Sequence, residues 1–226
     1  MNYVQLRQAD ESVEPVTVAE PGSATRGRML VWDLPVRLFH WSLALAFSIA
    51  FLSSESERWQ LVHIASGYVV AALIAFRLVW GLVGSRYARF AEFVRGPAAI
   101  REYVSGMLRL RPPHYTGHNP AGALAVLALL GLGLFTAVTG WMTFNEVGGD
   151  WLEEVHEGAA GAMLALVGIH VGAVVLSSLV HRENLVAAMW HGYKAGAPEA
   201  GIRRAHAGVA LGVLALIAGA IYLAVV

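Results

Sequence analysis

The sequence predicts an all-α integral membrane protein: a bundle of four transmembrane helices followed by a fifth at the C-terminal end. Three observations carry that prediction. Of 226 residues, 57% are hydrophobic and 14% charged, with a mean hydropathy of +0.56, whereas a soluble domain carries about a quarter charged residues. The charges gather outside long apolar runs. Five of those runs approach or exceed the roughly 20 helical residues needed to cross about 30 Å of hydrocarbon. A water-soluble globule is excluded.

Composition narrows the chemistry. Sixteen basic residues balance sixteen acidic ones, so the basic footprint of a nucleic-acid-binding protein is absent. There is no cysteine, which excludes disulfides, chain-held iron–sulfur clusters, thiolate zinc sites and cysteine nucleophiles. A cofactor must be held by the nine histidines, by carboxylates or by backbone.

Residues 1–29 read as a polar cytoplasmic tail, lacking the apolar run after a basic start that marks a signal peptide. The first span runs from about Val36 to Ser53, with Pro35 suited to its start. The second covers Leu61 to Gly84. Asn119-Pro120 opens the third, Ala121 to Phe144, as an N-cap followed by proline at the first helical position. The fourth covers Leu152 to Val180 and the fifth Ala205 to Val226. Between spans, Ile100, Tyr103, Val104, Met107 and Leu108 form an apolar stripe within Pro97–Leu110, and Leu185, Val186, Met189, Trp190 and Tyr193 form another. Both stripes predict helices lying on the bilayer surface. Residues 30–195 then form the four-span unit, and 196–226 a linker and the fifth helix. Gly208, Gly212 and Gly219 give that helix a small-residue face, so it is expected to pack against another subunit rather than on the bundle.

Loop charge sets the orientation. Arg86, Arg89, Arg95, Arg101, Arg109 and Arg111 separate spans two and three, and Arg182, Lys194, Arg203 and Arg204 follow span four. The opposite loops hold Glu55, Glu57 and Arg58, then Glu146, Asp150, Glu153 and Glu154. The positive-inside rule places the N-terminus and the arginine-rich loops in the cytoplasm.

Ionisable residues inside a span are costly and point to function. Four histidines meet that description: His40, His63, His156 and His170. His156 and His170 are 14 residues apart, a rise of about 21 Å and a turn about 40° short of four full revolutions. They therefore project from one face at two depths, with Met163 midway. His63 and His156 lie near the outer surface, His40 and His170 near the inner one. Two facing imidazoles at one level are what bis-histidine haem ligation needs, so two haems are expected, one per level. Gly67, one turn from His63, and the run Gly158 to Ala162 after His156 offer small residues against which a flat porphyrin could lie. Arg37, one turn before His40, could pair with a haem propionate; Arg58, ahead of His63, reads better as an interfacial side chain. His206 could face a quinone headgroup. His114, His118, His181 and His191 read as interfacial or capping residues. A rival reading, a transporter using its histidines for a metal ion or protons, calls for intramembrane carboxylates and broken helices; Glu157 is the single nearby candidate.

Several segments also carry a resemblance. Leu34-Pro35-Val36-Arg37-Leu38-Phe39-His40-Trp41, Val62-His63-Ile64-Ala65-Ser66-Gly67, Val83-Gly84-Ser85-Arg86-Tyr87 and Gly117-His118-Asn119-Pro120 resemble the bacterial di-haem b-type cytochromes of the cytochrome b561 family. The cytochrome b subunit of nickel–iron hydrogenases is the nearest kind. His156 and His170 match that family's fourth-helix pair, and Gly192-Tyr193-Lys194 its closing segment; the likeness spans about Val31 to Ala195. It implies two b-type haems ligated by His40, His63, His156 and His170. It further implies a multi-pass protein of the bacterial inner membrane, passing electrons between quinone and a periplasmic partner, as an electron-transfer subunit rather than a stand-alone enzyme. Span five has no counterpart in four-helix members. The loop Ser53 to Gln60 is short for docking a large hydrogenase, so a periplasmic c-type cytochrome is an equal expectation. A homo-oligomer joined through the fifth helix is a further one.

Overall fold

A computed structural model describes residues 27–226; the expected polar tail lies outside the described residues up to residue 26. The chain is an all-helical membrane protein with five helices long and apolar enough to cross a bilayer.

Helix α1 (Leu34–Ser53) starts one residue before the expected proline, because Asp33 caps it: its Oδ1 accepts from Val36 N at 2.8 Å. The second carboxylate oxygen accepts from Trp80 Nε1 at 3.0 Å, fastening the start of α1 to the end of α2 (Gln60–Val83). Asp33 is fully buried there. A single 3₁₀ turn, Glu57–Trp59, completes the connection between them. After α2 come a four-residue helix α3 (Phe90–Phe93) and α4 (Pro97–Leu108), which ends two residues earlier than the stripe predicts. Tyr103 of that stripe turns into the protein, whereas Val104 and Leu108 remain exposed.

Helix α5 (Pro120–Phe144) begins as predicted, with Asn119 Oδ1 accepting from Gly122 N at 2.7 Å. It forms a second antiparallel hairpin with α6 (Trp151–His181), and α2 joins the two hairpins. Helix α7 (Leu185–His191) is capped by Asn184.

Sequence periodicity could not reveal two three-residue strands, β1 (Arg28–Leu30) and β2 (Tyr193–Ala195), which pair antiparallel with Met29 opposite Lys194. Three residues are too few to show an alternation. The pair closes the arginine-rich end of the bundle. Lys194 is buried beneath it and meets Glu183 at 2.9 Å, while Met29, Val31, Trp32, Val36, Trp80 and Ala88 form an apolar cluster around it.

The fifth spanning helix, α8 (Ala207–Val225), overturns one expectation. It packs along α2 and α1 of its own bundle, where Val213 and Ala220 join a core with Phe39, Val70, Leu73, Ile74 and Leu130. The glycines misled because small size permits close contact without saying which face is used. A Cβ at Gly208, Gly212 or Gly219 would meet nothing within 4 Å. The larger Val213 makes the buried contact, and the glycine face points outward.

Candidate cofactor-binding site

The two outer histidines come together. The His63 and His156 rings stand 6.0 Å apart, centroid to centroid, with their planes at 89°. Two imidazoles on opposite sides of one metal ion, each bonded at about 2 Å, are separated by roughly that distance. Their tautomers are set. His63 Nδ1 lies 2.8 Å from the Ala50 carbonyl, and His156 Nδ1 lies 3.0 Å from that of Thr136. A carbonyl only accepts, so each Nδ1 carries the proton and each Nε2 keeps its lone pair. This is the outer support that ligating histidines need.

Neighbouring backbone makes the geometry possible. A Cβ on Gly140 would sit 2.7 Å from His156 Cε1 and 3.0 Å from its Nδ1, so only glycine lets the ring lie against α5. Gly67 is about 40° around α2 from His63, and space beside it is open to 4 Å. That is room for a flat group on the face that carries His63. The run after His156 fits less well than expected. Gly158 and Gly161 are rotated by about 200° and 140° from His156 and are exposed, leaving Ala159 and Ala160 toward the bundle.

At the inner level His40 and His170 are both half-buried, and no ring contact joins them among the described residues as one joins the outer pair. His40 Nδ1 is buried without a hydrogen-bond partner among the described residues, and such an orphan marks a place where something else bonds. Between the levels Met163 is 3% exposed and Ile74 wholly buried. Gly133 admits them both, since a Cβ there would lie 2.9 Å from Ile74 Cδ1 and 3.4 Å from Met163 Cε.

Comparison with known proteins decides the family: the profile described as prokaryotic cytochrome b561 matches residues 31–192. The chain belongs to the prokaryotic cytochrome b561 family. Relatives named "Probable Ni/Fe-hydrogenase B-type cytochrome subunit" include one from Rhodobacter capsulatus, 26% identical across 75% of this chain and 82% of its own. Another, from Cupriavidus necator, is 25% identical across 83% of this chain and 96% of its own. In Escherichia coli (strain K12) a "Probable Ni/Fe-hydrogenase 1 B-type cytochrome subunit" is 24% identical over 51% of this chain and 60% of its own. No solved structure matches the chain. A b-type cytochrome implies haem b, and the buried His40 nitrogen, the free Nε2 positions and the opening at Gly67 fit that group.

The remaining residues of this cytochrome b561 divide clearly. Arg37 directs Nε to the Trp190 carbonyl at 2.9 Å and Nη2 to the same oxygen, tying α1 to α7. His206 packs edge-on to Trp80 at 5.3 Å. His114 and His181 face each other at 5.7 Å, and Tyr103 Oη lies 3.3 Å from His181 Nε2. Among the described residues no group of three or more histidine or acidic side chains could hold a bare metal ion.

Sequence reasoning passed over Arg77 and His118. His118 looked like a loop residue, yet its ring lies 4.7 Å from Trp32 and 4.5 Å from Phe93, with Nδ1 enclosed and unpartnered. Burial, reinforced by the charges of Arg77, His170, Lys194 and His40, pushes it down to about 3. Arg77 went unnoticed in a run otherwise apolar; the signal was its distance of 14 residues from His63, the same interval that separates the two histidines of α6.

Proposed function

We propose that this cytochrome carries electrons across the bacterial inner membrane through two b-type haems, the outer held by His63 and His156 and the inner by His40 and His170. The observation that carries the reading is the outer pair: two imidazoles 6.0 Å apart, each with Nδ1 tied to a backbone carbonyl. The 14-residue interval on α6 then sets the inner site about 21 Å deeper.

Bound haem b supplies a one-electron couple. The chain does the rest. Ala50 and Thr136 hold the ligand rings in one tautomer, and Gly140 and Gly67 give ring and porphyrin their clearance. Met163 and Ile74 keep water from the space between the levels. Arg37, one turn from His40, is assigned to an inner propionate in addition to Trp190. The four-span unit of residues 30–195 binds the haems, and residues 196–226 buttress it through α8. Its outward glycine face is assigned to a second copy of the chain.

Arginine-rich loops orient the N-terminus and inner haem to the cytoplasm, with His206 beside a quinone site at that surface. The outer haem faces a periplasmic partner. The relatives' names favour hydrogenase subunits, while the short outer connection at Glu57–Trp59 suits a smaller c-type cytochrome.

The test is a visible spectrum and pyridine haemochrome assay on protein purified in detergent. Dithionite-sensitive b-type bands at two haems per chain are expected. A colourless protein, or one haem per chain after haem-replete expression, would overturn the reading.

A further inference from the structure

Arg77 is a guanidinium inside a membrane-spanning helix, 2% exposed, with Nη1 unpartnered among the described residues. A charge so placed needs a compensating anion. The neighbouring carboxylate, Asp33, already accepts from Val36 N and Trp80 Nε1, and no ion pair within 4.0 Å joins it to Arg77 among the described residues. The guanidinium instead lies 5.0 Å from the ring centre of Phe90 and 6.0 Å from that of Phe93. Phe90 reaches this position because Gly81 leaves space for its ring.

Position completes the argument. Arg77 follows His63 by 14 residues, so it projects from the same face of α2 about 21 Å deeper. It stands six residues from the inner end of α2, and His40 stands six residues from the inner start of α1. Each helix of the pair therefore presents its polar group about 9 Å inside the inner end. The His118 ring borders the same Phe93 as Arg77.

The geometry points to Arg77 as the binding residue for a carboxylate of the inner haem, its buried guanidinium holding a propionate at the level of His40 and His170. The assignment rests on the two-haem reading above. Arginine suits the task because its planar fork meets a carboxylate with two parallel hydrogen bonds. A cation there also opposes the extra positive charge of ferric iron, so its removal lowers the potential of the nearer haem.

The experiment is a spectroelectrochemical titration of wild type, Arg77→Lys and Arg77→Gln, with His40→Ala identifying the inner potential. Arg77→Gln should weaken inner-haem reduction at least tenfold, about 59 mV for one electron, leave the outer potential in place, and be largely rescued by Arg77→Lys. Two unchanged potentials in Arg77→Gln would overturn the assignment. Should Arg77→Gln fail to assemble, exchange of the native haems of Arg37→Gln for haem dimethyl ester serves instead, since Arg77 is then the remaining arginine assigned to an inner carboxylate. At least tenfold weaker binding at the inner site alone is expected, and unweakened inner binding refutes it. A wild type with a single potential would remove the two-haem reading and this assignment together, a pattern distinct from two potentials indifferent to Arg77.

Discussion

Replacing Gly140 with alanine tests whether the outer histidine pair depends on the close approach of α5. The added Cβ would lie 2.7 Å from His156 Cε1, 3.0 Å from Nδ1 and 3.4 Å from Nε2. Relief to ordinary contact moves the ring by about 0.7 Å at Cε1. The ring cannot retreat freely, because Nδ1 bonds the Thr136 carbonyl at 3.0 Å, one helical turn from Gly140 on the same helix. Moving away from one loosens the other. A net hydrogen bond contributes about 1 kcal/mol, and disturbing the outer support of a ligating histidine costs about 10–100-fold in affinity. Gly140→Ala should therefore bind the outer haem about 10–100-fold more weakly and leave the inner haem intact. Haem titration of the haem-free protein, followed at the Soret band, resolves the two sites. Equal affinity of Gly140→Ala and wild type at the outer site would refute the reasoning.

Other predictions follow from the same geometry. His63→Ala and His156→Ala should each abolish the outer potential, and His40→Ala and His170→Ala the inner one; loss of different potentials by His63→Ala and His156→Ala would disprove the pairing. His118 titrates at about 3 when folded against roughly 6.5 when free. Between those values the unfolded chain binds more protons, so stability falls as pH drops below about 6.5, by about 1.4 kcal/mol at pH 5.5. Thermal midpoints in detergent at pH 7.5 and 5.5 should separate, and His118→Gln should reduce the separation. At the arginine-rich end of the bundle, Glu183→Gln strands a lysine whose side chain is 4% exposed and should cost about 3 kcal/mol or more. Lys194→Met leaves a glutamate that still reaches water and should cost less, an ordering that denaturation of both variants checks.

The fold was legible because bilayer physics is severe: a helix must satisfy its own backbone in hydrocarbon, and five apolar runs announce five helices. Asn119 shows how far local chemistry reaches, since its cap and the proline after it set the start of α5 as read from sequence. Legibility failed where information was not periodic. The strands at Arg28–Leu30 and Tyr193–Ala195 pair across most of the chain, and nothing in either triplet names the other. The α8 glycines announced a face without saying which neighbour would take it.

The same division runs through the candidate site. His156 and His170 were legible because one interval on one helix sets both face and depth. The supports were not. Gly140 matters through a ring contributed by another helix, and neither the Ala50 carbonyl nor the Thr136 carbonyl differs from any other in sequence. Arg77 repeats the interval of α6 on α2 and could have been found by asking which polar residue shares a face with His63. That repetition has a physical basis. Helices crossing one bilayer in the same direction, as α2 and α6 do, meet the same two depths in the same order, so groups serving both levels recur at the same separation on each. Four turns fall 40° short over 14 residues, and the groups on both helices drift around their axes by the same angle. An outer pair that faces across the bundle is then accompanied by an inner pair that can still face inward. By this argument, moving Arg77 to position 76 would place it about 140° from His63 around α2, against about 40° for Arg77 itself. The double variant Phe76→Arg/Arg77→Phe should thus behave as Arg77→Gln does, despite retaining the charge at nearly the same depth. A normal inner potential in it would show that depth alone, and not the shared face, governs the site.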